Sequence, residues 1–68
     1  MEPTNNQRAA RCRKALNCYG TDHARGCLID FLADARHWCD RNSESFAELD
    51  RQAYQHYLAE LHEERKNP

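Results

Sequence analysis

The sequence predicts an all-α fold, in which a short N-terminal helix is followed by an antiparallel helical hairpin. Three observations support this class. The 68-residue chain contains no valine and a single isoleucine, whereas β-strands favour β-branched residues. Both prolines lie at the ends, at positions 3 and 68, so no proline interrupts the region between them. Apolar residues recur at spacings of three and four, as they do on one face of a helix.

The first predicted helix covers residues 7–19 and follows a flexible tail, residues 1–6. Ala9, Cys12, Leu16 and Tyr19 fall on one face of this helix. Gly20 is suited to end it, because glycine adopts positive φ without a steric penalty. The candidate N-terminal caps are Thr4, Asn5 and Asn6.

The second predicted helix covers residues 23–41, with Thr21 or Asp22 as its cap. It carries the strongest pattern in the chain, a wide apolar stripe. The stripe consists of Leu28, Phe31, Leu32, Ala35, Trp38 and Cys39. Ile29 lies off the stripe, and we expect it to contact either the first helix or a second chain.

The hairpin turn is predicted at residues 41–43, where Asn42 tolerates the left-handed conformation. Ser45 and Glu48 have the spacing of a capping box. They predict a third helix over residues 45–64. Its apolar positions are Phe46, Leu49, Ala53, Tyr54, Tyr57, Leu58 and Leu61.

The whole chain is therefore expected to form one small domain, residues 1–68, that pairs into a larger bundle. A chain of this length buries too little surface to be more than marginally stable alone, so we expect a homodimer or another protein partner. A non-enzymatic, self-associating or protein-binding module is the favoured function. The expected core or interface residues are Leu28, Ile29, Phe31, Leu32, Trp38, Cys39, Phe46, Leu49, Tyr54, Tyr57, Leu58 and Leu61.

Composition bears on compartment and partners. No apolar run approaches the roughly 20 residues that cross a membrane, and the polar N-terminus lacks a signal-peptide core. We therefore expect a cytoplasmic protein, no membrane partner and reduced cysteines. The net charge of −1 conceals a basic cluster in the first helix, which suggests an alternative function in nucleic-acid binding. The possible phosphate contacts are Arg8, Arg11, Arg13 and Lys14.

The spacing of the cysteine, histidine and aspartate residues does not favour a metal site or a catalytic site. Successive cysteines lie six, nine and twelve residues apart, unlike the closely spaced pairs of structural zinc sites. His37 and Cys39 are two residues apart, which places them on nearly opposite sides of a helix. Asp30 and Asp34 share a face, but they are expected to be simply solvated. No catalytic residue, metal site or cofactor is predicted.

The segment from Cys27 to Glu60, roughly half the chain, resembles a family of very short bacterial and phage proteins. Their pattern is an apolar helix ending in a His-Trp-Cys-Asp-like motif, then a loop, a phenylalanine and a final His-Tyr-x-x-Glu. The resemblance implies a compact helical fold and brings no defined activity. The matching residues are His37, Trp38, Cys39, Asp40, Phe46, His56, Tyr57 and Glu60.

A more distant likeness, in the order of helices, is to all-α nucleotide pyrophosphohydrolases of the MazG type. Such enzymes hold Mg²⁺ with clustered carboxylates on two helices. Here Asp34 is similar to one ligand, but Phe31 stands where a glutamate is needed. The preceding helix is basic where the acidic cluster should be, which opposes cation binding. A degenerate hydrolase relative is thus the remaining alternative function.

Overall fold

The computed structural model describes residues 3–20 and 23–66, and the all-α prediction is confirmed for them. Three α-helices follow one another, and a short 3₁₀ turn extends the first. Their bounds are Asn5–Leu16 for α1, Asn17–Tyr19 for the 3₁₀ turn, Ala24–Arg41 for α2 and Phe46–Lys66 for α3. None of these helices is long and apolar enough to cross a membrane, within the part of the chain described.

A reciprocal capping box starts α1 two residues earlier than predicted. The Thr4 hydroxyl oxygen accepts from the Gln7 backbone N–H at 3.1 Å, and Gln7 Oε1 accepts from the Thr4 N–H at 2.8 Å. Two otherwise unpaired donors are satisfied in this way. The predicted tail is therefore wrong from Thr4 onward, because Asn5 and Asn6 are helical; Met1 and Glu2 lie outside the described residues.

Gly20 ends the first helical segment, as predicted. Its backbone φ of 107° is a value that residues with a Cβ rarely adopt. Its N–H donates to the Asn17 carbonyl at 3.2 Å. The predicted caps of α2, Thr21 and Asp22, lie outside the described residues. Within those residues, α2 begins at Ala24.

The turn between α2 and α3 lies where the sequence predicts it, but a different residue is left-handed. Ser43 has φ of 57°, whereas Asn42 has φ of −113°. The Asn42 side chain instead donates from Nδ2 to the Trp38 carbonyl at 2.8 Å, which caps the end of α2. Ser45 caps α3 as predicted, since its hydroxyl accepts from the Glu48 N–H at 3.2 Å.

The hairpin is V-shaped, because α1 lies across its open end. At one end of α1, Asn5 Nδ2 donates to the Glu60 carbonyl on α3 at 3.1 Å. Beyond its other end, the Tyr19 hydroxyl donates to Asp34 Oδ2 on α2 at 2.6 Å. Between these two points α1 bridges the arms, and α2 and α3 make few close backbone contacts with each other. The two arms therefore diverge from the turn.

The resulting molecule is open for its mass. Its radius of gyration is 14.0 Å, against about 11 Å for a compact domain of this length. Its accessible surface is 6089 Å², against about 4,450 Å² for a compact monomer of 8.0 kDa. Only three hydrophobic side chains are buried among the described residues. These are Leu16, Cys27 and Cys39.

The predicted packing of the α2 stripe on the α3 stripe is therefore wrong within a single chain. Cys39 is buried, and Phe46 and Leu61 are half-buried. The physical reason for the rest is the divergence of the arms, which leaves the two stripes too far apart to cover each other. The exposed members of the predicted set are Leu28, Ile29, Phe31, Leu32, Trp38, Leu49, Tyr54, Tyr57 and Leu58.

Candidate functional site

An apolar cleft of about 490 Å³ opens between the two arms of the V. We call it the α2–α3 cleft. Its walls are the stripes of α2 and α3 nearest the turn, and Asp50 is the one charged residue among the side chains that form them. The lining residues are Phe31, Leu32, Ala35, Trp38, Cys39, Phe46, Leu49, Asp50 and Ala53.

Contacts near the turn close the narrow end of the cleft. Cys39 is only 4% exposed there, and its carbonyl accepts from the Glu44 N–H at 2.9 Å. The Arg36 guanidinium carbon lies 4.0 Å from the centre of the Phe46 ring, a cation–π contact between α2 and α3. The arms are therefore joined at the turn by backbone hydrogen bonds, one buried thiol and one cation–π pair.

The aromatic residues of α2 and α3, all expected in the core or interface, do not pack together as a group. Phe46 is half-buried beneath Arg36, but Trp38 is 58% exposed in the cleft. The rings of Tyr54 and Tyr57 stack on each other, with centroids 6.2 Å apart, and both remain largely exposed. Most of the aromatic surface is thus available to another molecule.

Ile29 does not contact α1 closely enough to be covered. It is 58% exposed, because the chain end that leaves α1 packs on the opposite side of the α2 stripe, where the Tyr19 ring meets the Phe31 ring edge-on at 6.1 Å. Contact of Ile29 with a second chain stays a prediction.

Polar contacts fix α1 to the end of α3. Arg8 Nε lies 3.1 Å from Glu60 Oε2, and these two side chains are 22% and 36% exposed. Arg8 also donates to Asn5 Oδ1 at 2.8 Å. The partial burial of this ion pair reduces screening by water. Arg8 was a predicted phosphate contact, and its guanidinium is engaged within the chain; the other three basic side chains of the cluster are exposed.

A second polar contact fixes the end of the 3₁₀ turn to α2. The hydrogen bond from Tyr19 to Asp34 raises the pKa of the Tyr19 hydroxyl, and desolvation and the negative charges of Asp34, Cys18 and Asp30 raise it further. Asp34 was expected to be simply solvated, so sequence reasoning missed this structural role. Residues 15 positions apart give no local signal of contact.

The four cysteines divide by burial. Cys12 and Cys18 are exposed, whereas Cys27 and Cys39 are buried. The Cys27 sulfur lies 3.4 Å from the Tyr19 carbonyl oxygen, so this thiol helps hold the 3₁₀ turn against α2. Across residues 3–20 and 23–66, no three His, Cys, Asp or Glu side chains converge as metal ligands would.

No protein-family model, curated protein or solved structure matches this chain. The resemblance to short bacterial and phage proteins stays a prediction.

Proposed function

We propose that this chain is a non-enzymatic protein–protein interaction module, in which the α2–α3 cleft is covered by protein in the working state. The observation that supports this is the exposed apolar lining of the cleft. Hydrophobic grooves bind the apolar face of an amphipathic helix in many protein complexes. The lining carries one carboxylate, Asp50, and apolar side chains otherwise, which suits binding by shape and burial.

The surface area gives an energetic reason for the same function. An unfolded chain of 8.0 kDa exposes about 11,600 Å², and the folded chain still exposes 6089 Å². Folding therefore buries about half of the surface, whereas a typical 60-residue domain buries about 60%. Conformational entropy must be offset by that burial. The chain alone is thus expected to be marginal, and covering the cleft supplies the missing apolar burial.

Urea unfolding, followed by far-ultraviolet circular dichroism over a dilution series, tests the proposal. At the lowest concentration we expect a shallow transition at low urea, because little surface is exposed on unfolding. Addition of the protein that covers the cleft, or of more of the chain itself, should make the transition steeper and raise the urea concentration at its midpoint. A steep transition at every concentration that no added protein shifts would contradict the proposal.

Nucleic-acid binding is the second candidate, favoured by the exposure of the remaining basic side chains of α1. They project around the short helix and do not form a stripe, since their positions are spread over about half a turn. A gel-shift series with nucleic acid at increasing salt tests this candidate. The supporting result is that the chain shifts nucleic acid at low salt and that alanine variants do not. The positions to substitute are Arg11, Arg13 and Lys14.

A further inference from the structure

We propose that the occupant of the α2–α3 cleft is a second copy of this chain, so that two V-shaped hairpins pair through their open faces. The proposal rests on the proposed function and names the partner. In such a pair each copy would present the same surface to the other, as in a two-fold symmetric dimer.

The first argument is the area that needs covering. The chain exposes 6089 Å², about 1,600 Å² more than a compact monomer of its mass. If each of two copies covered that excess on the other, the total buried area would be about 3,200 Å². That value falls within the roughly 2,000–5,000 Å² of obligate homodimers. An interface of the size of an obligate homodimer therefore fits within the surface that the open fold leaves exposed.

The second argument is self-complementarity. Apart from Tyr19, the exposed large apolar side chains outside the cleft lie on the two helices that form it, as with Leu28 on α2 and Tyr57 on α3. The same helices therefore offer both a cleft and exposed apolar side chains that could enter the cleft of a second copy. The apolar arc of α3 spans about half of the helix circumference, which is wider than the stripe of at least about 100° that one neighbouring helix needs.

The third argument is charge. The two helices that would pair, α2 and α3, carry eight acidic and six basic side chains, so two copies repel each other little. The cleft contributes Asp50 as its charged lining residue, so pairing removes few charges from water. A strongly acidic or basic partner would find no complementary field in the cleft, whereas an apolar face with few charges matches it.

The experiment is sedimentation equilibrium on the full chain in reducing buffer, because Cys12 and Cys18 are exposed and a disulfide would imitate association. Trp38 is the only tryptophan and lines the cleft, so its emission reports coverage directly. We expect a dimer at micromolar concentration and a blue shift of Trp38 emission as the dimer forms. A monomer that shows no shift across that range overturns the proposal.

Matched variants locate the interface. Trp38 lines the cleft and is 58% exposed. Trp38→Ala should weaken the dimer at least about thirtyfold, as a buried aromatic anchor does. Leu49→Ala, on the other wall, repeats the test without removing the reporter. The control is Gln55→Ala, because Gln55 is exposed on the polar side of α3, and this variant should change Kd less than about threefold. A Gln55→Ala effect equal to that of Trp38→Ala overturns the assignment to the cleft.

The outcomes separate this proposal from the proposed function. A monomer whose shallow unfolding transition is steepened by a different protein refutes the second copy but keeps the interaction module. A monomer with a steep transition that no protein shifts refutes both. A dimer weakened by Trp38→Ala and Leu49→Ala supports both.

Discussion

Leu16 is the buried apolar side chain at the end of α1, and its replacement by alanine measures how firmly α1 is docked. Leu16 is 9% exposed. The substitution removes three carbons, worth about 0.8 kcal/mol each when buried, and leaves a partly unfilled cavity. We therefore expect a loss of about 2–3 kcal/mol in the free energy of unfolding. A domain of this length is stable by only about 3–10 kcal/mol, so the loss is a large fraction.

The measurement is urea unfolding by circular dichroism, together with hydrogen exchange of the α1 amides. Leu58→Ala is the matched control at protein concentrations where the chain is monomeric, because Leu58 is a leucine on α3 that is 44% exposed. About half of its apolar surface is already in water, so its loss should be about 1 kcal/mol. If Leu16→Ala costs no more than Leu58→Ala, and α1 exchange is unchanged, then α1 is not anchored as the structure describes.

Three further perturbations test the polar contacts and the turn. The pKa of Tyr19 is raised in the folded chain, so its hydrogen bond to Asp34 stabilises the fold fully below the ordinary tyrosine pKa of about 10. That stabilisation is lost as the pH rises through the raised pKa. The urea midpoint of unfolding should therefore fall with pH in that range, and less steeply in Tyr19→Phe. A double-mutant cycle on Arg8 and Glu60, with alanine at each position, should give a coupling of about 1 kcal/mol that shrinks with salt, and zero coupling would show that the pair does not hold α1. Ser43→Gly should stabilise the chain by about 0.5–1 kcal/mol in thermal unfolding, because Ser43 has φ of 57°; destabilisation would contradict that conformation.

Local structure was predictable from the sequence because its causes are local. Local features act through their own backbone or through residues a few positions away, so a short stretch of sequence is enough to predict them. Examples are the helix end at Gly20, the cap Ser45 and the turn at 41–43. The error at the turn is of the same kind. Asn42 and Ser43 are both small and polar, and a short stretch of sequence does not decide which of two neighbours takes the left-handed conformation. It is decided by the Asn42 side chain, which bonds the Trp38 carbonyl.

The opening of the hairpin was not predictable, since it depends on contacts between distant residues. The apolar stripes show which faces of α2 and α3 avoid water, but they do not say which molecule covers them. Asn5 and Glu60, 55 positions apart, determine where α1 lies and therefore how far the arms diverge. Neither residue stands out in one sequence, because a polar side chain on a helix is usually solvated. The apolar residues of the cleft were thus predicted, while Asp50 and the cleft itself were not.

The V shape also has a kinetic consequence. Among the residues that the structure describes, nearly all contacts lie within helices or between neighbours in sequence, and chains with such local contacts fold in microseconds to milliseconds. Bimolecular association at about 10⁵–10⁷ M⁻¹s⁻¹ is slower than that at micromolar concentration, on the order of 0.1–10 s⁻¹. If two copies pair as proposed, refolding after dilution from urea should show a fast, concentration-independent gain of helix. A slower change in Trp38 emission should follow, with a rate that rises in proportion to protein concentration.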